Sequence, residues 1–302
     1  MLRPSALASS IKRSFRLAQR RITTLGFATP HSLDQSFAGS RTLKGIRSES
    51  TRVVHVSYGT ENFVQALTTL HRSAKRFGID DIRLYLPDHP AVQGAVEENS
   101  HIMQQRRGAG YWLWKPYILL DTMDNVDPGT TIVYSDAGQR YIADPAPVIA
   151  LAERQDVVLF HQDYLQGDWT KRDCFVLLDA DEPRFWEAPQ LDASIQLYRA
   201  GAKSRSFLLE MRDAMRDARI LCDGPNVCGL PNLDGFRDHR HDQSVLTILA
   251  IKHGIKTHPS PKYVVNRALS GAANKVKRDQ MVRDRLIVFE HHRRRNKPTS
   301  RF

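Results

Sequence analysis

A β-branched run from Thr131 to Ser135 stops on a single carboxylate, Asp136, followed by Ala137 and Gly138. In α/β sheets, ligands bind beyond the carboxyl ends of strands. A carboxylate placed there needs a partner: a metal ion, a row of amides or sugar hydroxyls. Asp also starts turns routinely, and for Asp136 alone that reading prevails. Gly108 to Pro116 crowds Tyr111, Trp112, Trp114 and Lys115 into a predicted helix start. Unpaired N–H groups at such a start attract anions, and Lys115 adds a point charge for phosphate. Taken singly, either indole reads as core. Asp242 and Gln243 fall where a loop becomes a helix. A carboxylate beside an amide can fork hydrogen bonds to adjacent sugar hydroxyls. The plainer reading is an N-cap Asp and a solvated Gln. His239 and His241 read as polar residues of an exposed loop, and His258 as a metal ligand or a structural histidine. Trp169, Lys171 and Arg172 sit at another predicted helix start, with Thr170 and Asp173 as a capping box. There, contacts with an acceptor or a diphosphate compete with simple solvation.

These residues need a scaffold, and the hydrophobic pattern supplies one. Val53–Tyr58 reads as a core strand, and apolar residues at 63, 66, 67, 70 and 74 mark a helix over about 61–77. Ile82–Leu86 is the next strand, ended by Pro87. Strand, helix, strand is the pattern of a parallel sheet with crossover helices. Pro116 begins a short helix, and Asp127-Pro128-Gly129 turns the chain into the strand that ends at Asp136. Val157–Phe160 predicts a further strand. Phe207, Met211, Ala214, Met215 and Ala218 share one helix face, and a helix through Val245, Ile248, Leu249 and Lys252 is closed by Gly254. Ile255–His258 leads out as a short strand. The expectation is one α/β domain over residues 51–270, a mostly parallel sheet flanked by helices, with basic extensions at both ends.

Charge supports that division. Residues 1–50 hold nine Lys/Arg and two acids, and residues 271–302 hold ten and three. The whole chain is +11, so residues 51–270 carry −3. A nucleic-acid-binding domain carries its positive charge on the folded face, so no nucleic-acid partner is expected. Basic ends suit an anionic membrane surface. Met1 to Leu33 contains no acid, and Ile11, Phe15, Ala18, Ile22 and Leu25 recur at helical spacing. That segment reads as an organelle-targeting peptide, an interfacial helix or a disordered leader. The three cysteines, Cys174, Cys222 and Cys228, lack metal-ligand spacing. Reduced thiols are expected, as in a cytosolic chain peripheral to a membrane, and a Cys222–Cys228 disulfide is the alternative.

The order of these motifs resembles a glycosyltransferase of the GT-A fold, bacterial in type, over roughly residues 51–265. The resemblance rests on Val56-Ser57-Tyr58, Trp112–Tyr117, Tyr134–Gly138 and His239–Ser244. It implies a Rossmann-like domain that moves a sugar from a nucleoside diphosphate donor to a hydroxyl of a glycan or lipid-linked acceptor, as in polysaccharide biosynthesis. It also implies Mn²⁺ or Mg²⁺ on an Asp-x-Asp pair, of which Asp136 is the first member and Gly138 stands at the second. His258 is similar to the late metal-ligand histidine of such enzymes. Asp242 and Gln243 resemble the catalytic Asp-Gln pair of retaining members. By the same resemblance Ser57, Tyr58, Trp114, Lys115, Asp136 and Lys171 contact the donor. Two rivals are a non-catalytic nucleotide-sugar or glycan-binding protein on this fold and a basic protein associated with nucleic acid.

Overall fold

The structure, a computed structural model, describes residues 52–265, 271–284 and 286–292. The expected leader helix lies outside them. Among the described residues no helix is long and apolar enough to cross a membrane. Strands β1 (Val53–Tyr58), β2 (Asp81–Tyr85), β3 (Thr131–Ser135), β4 (Gln139–Tyr141), β5 (Val157–Leu165), β6 (Pro189–Arg199), β7 (Thr257–Pro259), β8 (Lys262–Val264) and β9 (Phe289–His291) form two sheets. The longer helices are α1 (Val64–Arg76), α2 (Pro90–Glu98), α3 (Trp114–Asp124), α4 (Ala202–Met215), α5 (Asp242–Lys252) and α6 (Gly271–Asp284).

The main sheet has the order β2-β1-β3-β6-β5-β7. All its strands run one way except β6, which is antiparallel to both β3 and β5. The mostly parallel α/β fold expected from the sequence is therefore present. Both faces are covered. Ile132 and Tyr134 of β3 enter a core with Val54, Val56, Ile118, Leu119 and Leu246, while Val133 enters a second core with Leu70, Ala74, Ile195 and Phe289. Sheets buried on both faces read as continuous apolar runs, which is why β1 and β3 stand out in the sequence. His55 and Ser57 are the buried polar exceptions within β1, and His55 is tied into a hydrogen-bond network. Its ring bonds the Tyr141 hydroxyl at 2.7 Å and approaches Ser135 Oγ at 3.3 Å. Burial pushes its pKa down to about 3, so the imidazole stays neutral.

Three features differ from the sequence expectations. The longest strand, β6, has no counterpart among them: Gln190, Asp192, Ser194 and Gln196 alternate with Leu191, Ala193, Ile195 and Leu197, so it lacks the continuous apolar run by which β1 and β3 stand out. Within the expected basic extension after residue 270, the described residues 271–284 and 286–292 are ordered into elements: α6 forms, and β9 is the central strand of the three-stranded sheet β4-β9-β8. Thr170 and Asp173 do not form a capping box. Thr170 Oγ donates to Ser244 Oγ at 2.8 Å, and the Asp173 carboxylate accepts from the Val227 and Cys228 amides. The thiols of Cys174, Cys222 and Cys228 are free.

Candidate functional site

β1 is flanked by β2 on one side and β3 on the other, so the chain reverses its direction of travel across the sheet between β1 and β3. Such a switch point leaves a crevice beyond the carboxyl ends of the two strands. Asp136 stands there, one residue past β3. Its amide extends the ladder to Ser194 O at 3.0 Å, and Gln139 N then closes a turn onto Asp136 O. The Tyr134 hydroxyl donates to Asp136 Oδ1 at 2.6 Å.

Lys115 enters from α3. Its ammonium is only 1% exposed, donates to Ala193 O at 2.9 Å and forms an ion pair with Asp242 Oδ2. Asp136 Oδ1 is 3.9 Å from the same nitrogen, which also lies over the Tyr134 ring. Asp242, the first residue of α5, is 4% exposed. Burial raises its pKa from 3.8 to about 6, against the opposing pull of Lys115. Residues 115, 136 and 242, far apart in sequence, thus meet at one ammonium. Two carboxylates share one cation, so with both ionised the trio is net negative. It suits a developing positive charge and is no phosphate clamp; Lys115 holds the carboxylates in place.

The backbone that delivers these groups is strained. Gly108, Ala109, Gly110, Tyr111 and Trp112 all have positive φ, a left-handed turn immediately before α3. For non-glycine residues that conformation costs roughly 1–2 kcal/mol each. His241, just before Asp242, also has a positive φ, 49°. Its ring packs on Tyr111 and stacks on Trp112 with a 5.7 Å centroid separation, so the two strained segments brace each other. His241 Nδ1–H donates to Leu221 O, and His239 Nε2–H donates to Ile220 O. Both rings are buried, which holds them neutral, with His241 lowered to about 4. The exposed polar loop expected at 239–241 is instead a pair of buried pegs. Gly110 has no alternative residue: an added Cβ would sit 2.8 Å from Met103 Cα, at φ +96°. We expect Gly110→Ala to lose at least ~2 kcal/mol in urea denaturation. Gly94→Ala, mid-helix in α2 with nothing within 4 Å, should gain about 0.5–1 kcal/mol.

The other residues singled out by sequence occupy different places. Ser57, Tyr58 and Trp114 are buried, the Tyr58 and Trp114 rings packed at 4.0 Å, so they form the floor of the crevice rather than its surface. Gln243 is committed to β6: its amide oxygen accepts from Ala193 N and its amide nitrogen donates to Gln190 Oε1 at 2.8 Å. Lys171 pairs with buried Asp173 at 3.3 Å. Sequence reasoning missed Asp192 and Lys262, a buried pair at 2.6 Å in which Asp192 also accepts from Ser194 and Ser260. Burial alone would raise the Asp192 pKa, but Lys262 and the hydroxyls lower it. The sequence signal for Asp192 is a carboxylate at a polar position of an alternating strand pattern.

A divalent ion does not fit these residues. Among the described residues no group of three or more His, Cys, Asp or Glu side chains is arranged to hold a metal. At the second motif position, a Cβ on Gly138 would stand 2.9 Å from His291 Nε2, so no side chain can enter without displacing that ring. Asp136 itself already faces Lys115 and Tyr134. His258 bonds Gln155 Oε1 and lies on β7, three strand spacings from β3, roughly 14 Å across the sheet. Cavities of about 360 and 640 Å³ open elsewhere, the larger at the opposite ends of β1 and β2 beside Val53 and Asp81. The converging charges define the site better than cavity volume does.

No family model matches the chain, and no curated protein matches it. Its structure is similar to mouse xyloside xylosyltransferase 1, with 8% identity, 80% of this chain and 97% of that one covered, and a TM-score of 0.45. It is also similar to the bifunctional glycosyltransferase WbbM, with 12% identity, 83% and 47% covered, and a TM-score of 0.49. A third is the galactosyltransferase LgtC, solved with donor and acceptor sugar analogs, with 14% identity, 82% and 89% covered, and a TM-score of 0.43. At these values the likeness decides nothing about activity.

Proposed function

We propose that this protein is a glycosyltransferase that moves a sugar from a nucleoside diphosphate donor to a hydroxyl of a glycan or lipid-linked acceptor. The observation that carries the reading is the convergence of Lys115, Asp136 and Asp242 beyond the β1/β3 switch point. As a glycosidic bond breaks, positive charge develops on the sugar. Asp242 and Asp136 are preorganised to stabilise that charge, and Lys115 fixes their orientation without cancelling both. Gln243 positions β6 against the same site. An Asp-Gln pair at this place supports transfer with retention of configuration. A lipid-linked acceptor would be met at an anionic membrane surface through the basic residues 1–50, with the domain on the cytoplasmic side.

The non-catalytic reading has one observation in its favour: Gly138 is closed off by His291, and the metal motif is incomplete. Thermal-shift titration with nucleoside diphosphates and their sugars separates the possibilities, since a ligand that binds only the native state raises the melting temperature. We expect stabilisation by sugar nucleotides together with their slow hydrolysis. Stabilisation without hydrolysis, with or without Mn²⁺, would establish a nucleotide-sugar-binding protein; no shift by any nucleotide would remove both the transferase and the nucleotide-sugar-binding readings.

A further inference from the structure

Beyond the charged trio, the sheet edge carries a second set of groups that the transfer step leaves unused. β5 and β6 extend past the end of β3 as a two-stranded ribbon, pairing Leu165 with Pro189. At its tip Tyr164 is 51% exposed and its ring lies 5.9 Å from that of Trp169. The Arg240 guanidinium sits 4.2 Å over the Trp169 ring, and Arg237 approaches the same ring at 5.7 Å. No carboxylate among the described residues lies within ion-pair distance of Arg240. Its neighbour Asp238 is held by Arg107 at 2.6 Å, and Arg237 meets Asp168 only at 3.7 Å. An arginine stacked on an indole is weakly hydrated and presents its N–H edge outward, ready for a bidentate anion.

The shelf is tied to the reaction site. Trp169 O accepts from Arg240 N at 3.0 Å, from Ser244 Oγ at 3.0 Å and, more weakly, from Gln190 Nε2 at 3.5 Å. Gln190 in turn accepts from Gln243. Along β6, Gln190 is four residues from Ser194, the residue that bonds Asp136, which is roughly 13 Å of strand. The order of the edge is then the crevice at the β1/β3 switch point, the carboxylates at β3/β6, and the shelf at the tip of β5/β6. On the transferase reading, a nucleotide in the β1/β3 crevice leaves the shelf on the far side of the carboxylates for the acceptor.

We infer that Tyr164, Trp169, Arg237 and Arg240 form the acceptor subsite and that it takes an acidic saccharide, one whose ring stacks on the aromatics while a carboxylate or phosphate engages Arg240. This rests on the transferase reading for the word acceptor, but the binding itself is measured without turnover. The purified protein would be applied to an array of oligosaccharides bearing uronic acid, sialic acid or sugar phosphate, beside their neutral counterparts. The expected result is retention of acidic glycans over neutral ones, reduced at least tenfold in Arg240→Gln and in Trp169→Ala. Arg240→Lys should keep part of the binding, and melting temperatures should show each variant folded. Equal binding of neutral glycans, no binding at all, or unchanged binding in both variants overturns the proposal. If acidic glycans bind while no sugar nucleotide is hydrolysed, the transferase reading fails and the shelf stands as a glycan site.

Discussion

Lys115→Met should lower the unfolding free energy by about 3–5 kcal/mol, because it leaves Asp242 buried without its counter-charge. The ammonium it removes is 1% exposed and is enclosed by Asp242, Asp136 and Ala193 O; Asp242 and Ala193 are buried, so no water replaces it there, while Asp136 is one-third exposed. Methionine fills most of the volume, so the loss is electrostatic rather than a cavity effect. The double variant Lys115→Met/Asp242→Asn should recover at least half of the loss, since the stranded charge is then gone too. Urea-denaturation midpoints of the wild type and the variants measure this directly. A single variant within about 1 kcal/mol of the wild type would show that the trio is not the buried charge centre described above.

Asp242→Asn alone should reduce kcat by about 10²–10³-fold while leaving a folded protein, and Asp136→Asn should act in the same direction. An amide keeps the shape and can still accept from Lys115, but it cannot offset positive charge on a departing sugar. The wild-type rate should rise with pH through about 6, as Asp242 ionises, and this limb should vanish in Asp242→Asn. For stability the sign is opposite. The folded state retains a proton on Asp242 that the unfolded chain releases nearer 3.8, so this group's contribution falls as pH rises from about 4 to 6. A pH–rate profile of both proteins checks the assignment. Wild-type turnover in Asp242→Asn and Asp136→Asn would refute the site.

Much of the scaffold was legible because doubly buried strands leave uninterrupted apolar runs and amphipathic helices leave a 3.6-residue rhythm. β1, β3, α1 and α5 follow from Val53–Tyr58, Thr131–Ser135 and the apolar faces at 66–74 and 245–249. β6 escaped because it lacks an uninterrupted apolar run, although its polar residues at 190, 192, 194 and 196 alternate with apolar ones at the period of a strand. β9 and β8 escaped because three-residue strands carry little period of their own.

The residue types needed for chemistry, Lys115, Asp136 and Asp242, were visible from local spacing, and so was the absence of a second carboxylate at Gly138. Their roles were not. Whether Lys115 meets phosphate or carboxylate depends on which groups β6 and α5 bring within 4 Å, and that is a property of crossing elements, not of neighbouring residues. Packing likewise turned His239 and His241 from surface residues into buried pegs and put His258 three strands from Asp136. Local sequence sets which backbone conformations and charges are available; only the tertiary fold sets the dielectric and the distances that decide what those charges do.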